Sequence, residues 1–174
     1  MILWITGISG SGKTTIGRYF YLKFKKKYKN TLFIDGDEFR ALFSNDLKYT
    51  IKDRDRNAQR MTAFAKYISE QKINLIISAN ITSVKYRVWC KKNLKNFVQV
   101  NINAKIEQLI KRDYKNLYTR ALKKKIKNVV GIDLPYKNPK KVDFYLENND
   151  SKKNFLKKIK IIIEFLKRKR IKIY

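Results

Sequence analysis

The chain has 174 residues, enough for one domain with a sizeable core, and a hydrophobic content of 44% excludes wholesale disorder. Lys and Arg number 42 against 14 Asp and Glu, a formal charge of +28 that suits an anionic partner. No apolar run is long enough for a membrane span, and the single Cys90 excludes both an internal disulfide framework and a cysteine zinc site.

The elements read in chain order as strands alternating with helices. Ile2-Leu3-Trp4-Ile5-Thr6 is predicted as a buried strand, and Gly7-Ile8-Ser9-Gly10-Ser11-Gly12-Lys13-Thr14 follows without a gap. That octet fits the phosphate-loop pattern G-x-x-x-x-G-K-[ST]. Its glycines let the backbone curl until amide N–H groups converge on a phosphate, and the helix that begins at Lys13 adds its positive end. Gly7, Ser9, Gly10, Ser11, Gly12, Lys13, Thr14 and Thr15 are therefore the expected nucleoside triphosphate site. Lys13 is expected to reach the β- and γ-phosphates of ATP, while the Thr14 hydroxyl completes a Mg²⁺ shell. Because these residues occupy the amino terminus, it does not read as a secretory leader, and a cytoplasmic location with no membrane partner is expected.

Thr15 to Lys27 is predicted as a helix with Ile16, Tyr19, Phe20 and Phe24 on its apolar face. A short strand, Thr31 to Ile34, ends at Asp35-Gly36-Asp37, and a second helix covers Glu38 to Phe43. Asp53 to Gln71 reads as a longer helix with Met61, Phe64, Ala65 and Ile68 inward. Leu75 to Ile77 and Phe97 to Val100 read as strands, and Ala104 to Arg112 as a helix facing inward through Ile106, Leu109 and Ile110. A fifth strand is expected over Val142 to Leu146, then a closing helix from Ser151 to Arg170 around Phe155, Ile159, Ile162 and Leu166.

This alternation predicts a single α/β domain over residues 1–174, a three-layer P-loop NTPase fold with a mostly parallel five-stranded sheet. Ligands then gather beyond the carboxyl ends of the strands, which carry Gly7, Asp35, Ser78 and Asn101. Residues 114–141 lose the pattern at Gly131, Pro135 and Pro139, and that stretch is expected to form a mobile lid.

Asp35 and Asp37 stand just past a strand, separated by a permissive glycine. Two carboxylates there can hold metal-bound water, orient a hydroxyl, or cap the next helix. Asp37 is the better base candidate because it stands farther into the crevice, whereas Asp35 suits the metal. Arg54, Asn57 and Arg60 follow at i,i+3 spacing and are expected on one helix face, where guanidinium forks match phosphate oxygens. Ion pairing with Asp53 and Asp55 is the alternative for that segment. Arg40, one turn beyond Asp37, adds a cation facing the same acceptor, which implies a small anionic substrate.

On these motifs the sequence resembles the adenosine 5'-phosphosulfate kinase family over most of its length. The resemblance rests on the phosphate loop, Asp35-Gly36-Asp37-Glu38-Phe39-Arg40, Asn45 to Thr50 followed by Asp53-Arg54 and Asn57, and Gly131-Ile132-Asp133-Leu134-Pro135-Tyr136. It implies transfer of the γ-phosphoryl of ATP to the ribose 3'-hydroxyl of adenosine 5'-phosphosulfate, with Asp37 as the base and Mg²⁺ and Lys13 neutralising the moving phosphoryl oxygens. It further implies that Tyr49 stacks on the acceptor base and that Arg40, Arg54 and Asn57 bind the acceptor. Ile81-Thr82 is similar to an element lining the same pocket, Arg112 to a residue touching ATP, and Lys127 precedes the lid motif.

Four positions depart from the family pattern. Ser83 replaces a proline, Asn80 an apolar residue, Asn116 a glycine, and Val129 the phenylalanine set against the acceptor base. These departures keep open an acceptor with a narrower or more polar base. Relatives that phosphorylate cytidine 5'-diphosphoramidate for surface-polysaccharide modification look like this chain. A nucleic-acid-stimulated ATPase is a third reading of the charge. However, the lysines spread through nearly every helix, and Asn, Ile and Tyr, which share AT-rich codons, are abundant too. Compositional bias explains the charge without an obligate nucleic-acid partner, and a homodimer is left open.

Overall fold

The computed structural model describes residues 1–113, 115–136, 138–139, 141–149, 152–168 and 171–174. Five strands, β1 (Ile2–Thr6), β2 (Thr31–Asp35), β3 (Asn74–Ser78), β4 (Phe97–Asn103) and β5 (Phe144–Glu147), form one sheet in the order β2-β3-β1-β4-β5. Every pairing is parallel, with Ile2 opposite both Leu75 and Phe97. The helices among the described residues are α1 (Lys13–Lys27), α2 (Gly36–Ala41), α3 (Ile51–Glu70), α4 (Val84–Asn93), α5 (Ile106–Lys111), α6 (Leu117–Leu122), α7 (Lys152–Lys157) and α8 (Ile159–Arg168).

Side-chain alternation along β1 explains the layering. Leu3 and Ile5 face a core with Ile16, Phe20 and Phe24 of α1 and Phe155, Ile159, Ile162 and Leu166 of α7 and α8. Ile2 and Trp4 face the opposite core, built with Phe39 of α2, Met61 and Ala65 of α3 and Cys90 of α4. The three-layer α/β fold with a five-stranded parallel sheet is therefore as the sequence predicts. Chain order reverses at β1, between β3 and β4, so the crevice at its carboxyl end is the natural ligand site.

Several boundaries differ for local reasons. Helix α3 starts at Ile51 rather than Asp53 because Thr50 caps it, its hydroxyl oxygen accepting from the Asp53 amide at 3.2 Å. Strand β5 starts at Phe144 because the Asp143 carboxylate, at 2.8 Å, accepts from the Gln99 amide in place of a ladder carbonyl. The closing helix is two pieces, α7 and α8, broken at Lys158, whose ammonium donates to the Glu147 carbonyl at 2.8 Å. Its expected ends, Ser151 and Arg170, lie outside the described residues, as does Tyr114 at the start of the expected lid. Two helices were not expected: α4, and α6 within the stretch predicted to be loose.

Residues of that stretch have a core of their own. Tyr118, Ala121, Val129 and Val130 pack against Ile8 of the loop and Leu109 of α5. The Asp133 carboxylate accepts from the amides of Asn128 and Val129, tying a tight turn that delivers Val129 and Val130 to the crevice.

Candidate active site

The first wall of the crevice is the turn between β1 and α1. Gly7 and Gly12 both adopt positive φ, 148° and 100°. A Cβ on Gly7 would lie 2.5 Å from the Ile102 carbonyl oxygen, and one on Gly12 would lie 2.8 Å from both Asn148 and Phe155. Only glycine fits there. Helix α1 has no side-chain cap at Gly12 and no acidic residue in its first turn, so its positive end is offered to an anion.

The loop is braced from behind. Buried Asn148 donates to the Ser11 carbonyl at 2.8 Å, and the Arg112 guanidinium donates to the Asn148 carbonyl at 3.0 Å. The Tyr118 hydroxyl donates to the Ser9 carbonyl at 2.7 Å, and burial pushes its phenol up to about 12, so it remains a donor. Ser9, Gly10, Lys13 and Thr14 border the cavity, whereas Ser11 is fully buried behind it and Thr15 is exposed on α1.

Lys13 Nζ folds back onto the Ile8 carbonyl at 2.9 Å. Burial lowers its ammonium to about 8, against the pull of Asp35 and Asp37 and with a smaller push from Lys115. An anionic ligand reverses that burden.

Asp35 and Asp37 flank the turn into α2 at the carboxyl end of β2. Asp35 caps the helix, accepting from the Asp37 amide at 3.0 Å, while Glu38 accepts from the Asp35 amide at 3.1 Å. Capping uses one oxygen of this residue, and its second accepts from the Thr14 hydroxyl at 2.7 Å. Two hard oxygens so placed suit Mg²⁺, which keeps most of its shell as water and phosphate oxygens. No cluster of three or more His, Cys, Asp or Glu forms a complete protein cage among the described residues. Asp37 is exposed to the cavity, and Lys115 reaches it from the opposite side at 3.1 Å.

The far end is cationic and aromatic. Arg40, only 8% exposed, donates to the carbonyls of Leu47 and Lys48 at 3.3 and 3.2 Å. Arg54 donates to the Tyr49 carbonyl at 2.9 Å and to the Asn128 carbonyl at 2.7 Å, joining α3 to the Val129 turn. Both guanidinium groups lie over the Tyr49 ring, at 4.8 and 5.4 Å from its centroid. Asn57, three residues along α3 from Arg54, and Val129, next to Asn128, complete this end, and Asn80 lines the floor.

Other sequence-predicted residues stand elsewhere. Arg60 is not with Arg54 and Asn57: it forms two 2.8 Å bonds to Asp46 and covers the Phe43 ring. Six residues along a helix is a turn and two-thirds, which puts Arg60 about 120° away from Arg54. Ile81 is core, packed with Trp4 and Phe39, and the cavity floor stops at Asn80. The Ile81 and Thr82 carbonyls accept from Arg87 at 2.9 and 3.3 Å. Lys127 is exposed outside the cavity lining. Lys115 was missed by sequence reasoning; its signal was a lone cation three residues after Arg112 in the expected lid.

A phosphate-loop turn, a carboxylate and a cationic far end share one crevice, an arrangement that can bring two anionic ligands together. The sequence model of the adenylylsulphate kinase family matches residues 1–147. The cytidine diphosphoramidate kinase of Campylobacter jejuni is 38% identical over 165 residues, covering 95% of each chain. The adenylyl-sulfate kinase of Clostridium acetobutylicum is 35% identical over 171 residues, 98% of this chain and 84% of that one. The structure of the Mycobacterium tuberculosis APS kinase in complex with AMPPNP and APS superposes with a TM-score of 0.84 at 26% identity, covering 95% and 96% of the two chains. The chain belongs to the adenylylsulphate kinase family and is an ATP-dependent nucleotide kinase.

Proposed function

We propose that this kinase transfers the γ-phosphoryl group of ATP to the ribose 3'-hydroxyl of cytidine 5'-diphosphoramidate. The observation that carries this reading is the acceptor end of the cavity. Val129, a small aliphatic side chain, borders it where an extended aromatic wall would favour a purine, and Asn80, an amide, lines the floor. An aliphatic surface forgoes about 1 kcal/mol of stacking, which costs a purine more than a smaller pyrimidine. The 38% identity to the Campylobacter jejuni enzyme points the same way.

In this reading Lys13 leaves the Ile8 carbonyl and neutralises the moving phosphoryl oxygens, together with the α1 terminus. Asp37 accepts the proton of the attacking hydroxyl, and Arg40, Arg54 and Asn57 hold the acceptor's anionic tail. Thr14 and Asp35 hold Mg²⁺, which when bound supplies further charge neutralisation at the phosphate oxygens. The stretch that carries Lys115 and Val129 closes over both ligands and excludes water.

Adenosine 5'-phosphosulfate is the second reading, supported by the family match and by the ligand in the mycobacterial structure. Mass and NMR analysis of the product decides. The proposal expects a cytidine product phosphorylated on its ribose, with ADP in equal amount. ATP hydrolysis without acceptor phosphorylation would reject it.

A further inference from the structure

We infer that Asn80 is a specificity-determining residue whose side-chain amide donates a hydrogen bond to the acceptor nucleotide. This rests on the proposed acceptor reading and deepens it. Asn80 follows the carboxyl end of β3 by two residues, on the cavity floor between the phosphate loop and the Asp35–Asp37 turn. Its backbone is fixed on both sides of the preceding residue. The Trp4 indole donates to the Ala79 carbonyl at 3.0 Å, and the Ala79 amide donates to the Ile5 carbonyl at 3.1 Å.

The amide itself is held by one buried hydroxyl. The Thr6 hydroxyl, 1% exposed, donates to Asn80 Oδ1 at 3.2 Å. One end of Asn80 is therefore spent on the protein. No described residue accepts from its Nδ2, which is the half left to the cavity. A donor held rigidly in a partly desolvated site favours ligands that present an acceptor and penalises those that do not. Cytidine 5'-diphosphoramidate offers two such sources, the cytosine carbonyl and the oxygens of the terminal phosphoramidate.

Asn80→Leu removes the donor without adding charge. Asn80→Asp keeps an acceptor for Thr6 and removes the donor, but its carboxylate also repels an anionic acceptor, so the neutral variant carries the test. The expected result in each is a rise of about tenfold or more in KM for cytidine 5'-diphosphoramidate, with KM for ATP within about twofold. Inhibition by cytidine 5'-diphosphate locates the partner: equal weakening places it on the nucleoside, and unchanged inhibition places it on the phosphoramidate. Unchanged acceptor KM in both variants, with an active wild type, overturns the role of Asn80 alone. A wild type that ignores cytidine 5'-diphosphoramidate overturns the acceptor reading and this inference with it.

Discussion

Lys115 Nζ lies 3.1 Å from the Asp37 carboxylate although the two are 78 residues apart, and their ion pair spans the mouth of the cavity. The pair couples the proposed base to the segment that covers it. Both side chains are more than half exposed, so the contact contributes little to folding. Its consequence lies in the reaction. Asp37→Asn is expected to lower kcat by about 10²–10⁴-fold while KM for ATP stays within about threefold. Lys115→Met should lower kcat by about tenfold to a hundredfold without moving the thermal midpoint. Steady-state kinetics and a melting curve check both.

Lys13 gives a pH dependence with a defined sign. Its ammonium is lowered to about 8 in the free protein, so the charged form is lost as pH rises through that value. A triphosphate binds the charged form and must recruit a proton above that pH. ATP affinity is therefore expected to fall by up to about tenfold per pH unit above 8. Lys13→Arg should remove the dependence, and Lys13→Ala should abolish transfer. Titration calorimetry with ATP at several pH values reads this directly.

Arg54 holds two carbonyls, those of Tyr49 and Asn128, that belong to different walls of the acceptor end. Arg54→Ala should raise KM for the acceptor by about tenfold or more and KM for ATP by less than about threefold. Arg54→Lys should not restore it, because an ammonium cannot serve both carbonyls and the Tyr49 ring in a planar fork. Equal effects on both substrates would move Arg54 out of the acceptor site.

Gly12→Ala tests the loop. The added methyl would meet Asn148 and Phe155 at 2.8 Å in a backbone held at φ 100°. A loss of about 2–3 kcal/mol of stability is expected, together with weakened ATP binding. Denaturant melts with and without ATP measure the two effects separately.

What the sequence made legible was local. The phosphate loop, β1 and the Asp35-Gly36-Asp37 turn are contiguous patterns that spacing alone reveals. Helix α4 was missed because its faces are poorly separated: Val84 and Val88 are exposed, while Tyr86 and Trp89 are only half-buried. Helix α6 was missed because it is six residues long and starts after Asn116 in a left-handed conformation. The pairing of Arg60 with Asp46 and of Lys115 with Asp37 joins residues far apart in the chain, and no periodicity announces such contacts. The break at Lys158 has no glycine or proline to mark it. It follows from where Glu147 ends β5.

The most direct measurement is a one-pot competition between cytidine 5'-diphosphoramidate and adenosine 5'-phosphosulfate at equal concentration with limiting ATP. The ratio of the two phosphorylated products gives the ratio of kcat/KM. The account predicts that the cytidine product dominates by about tenfold or more. A mixture dominated by the phosphorylated adenosine product would contradict it.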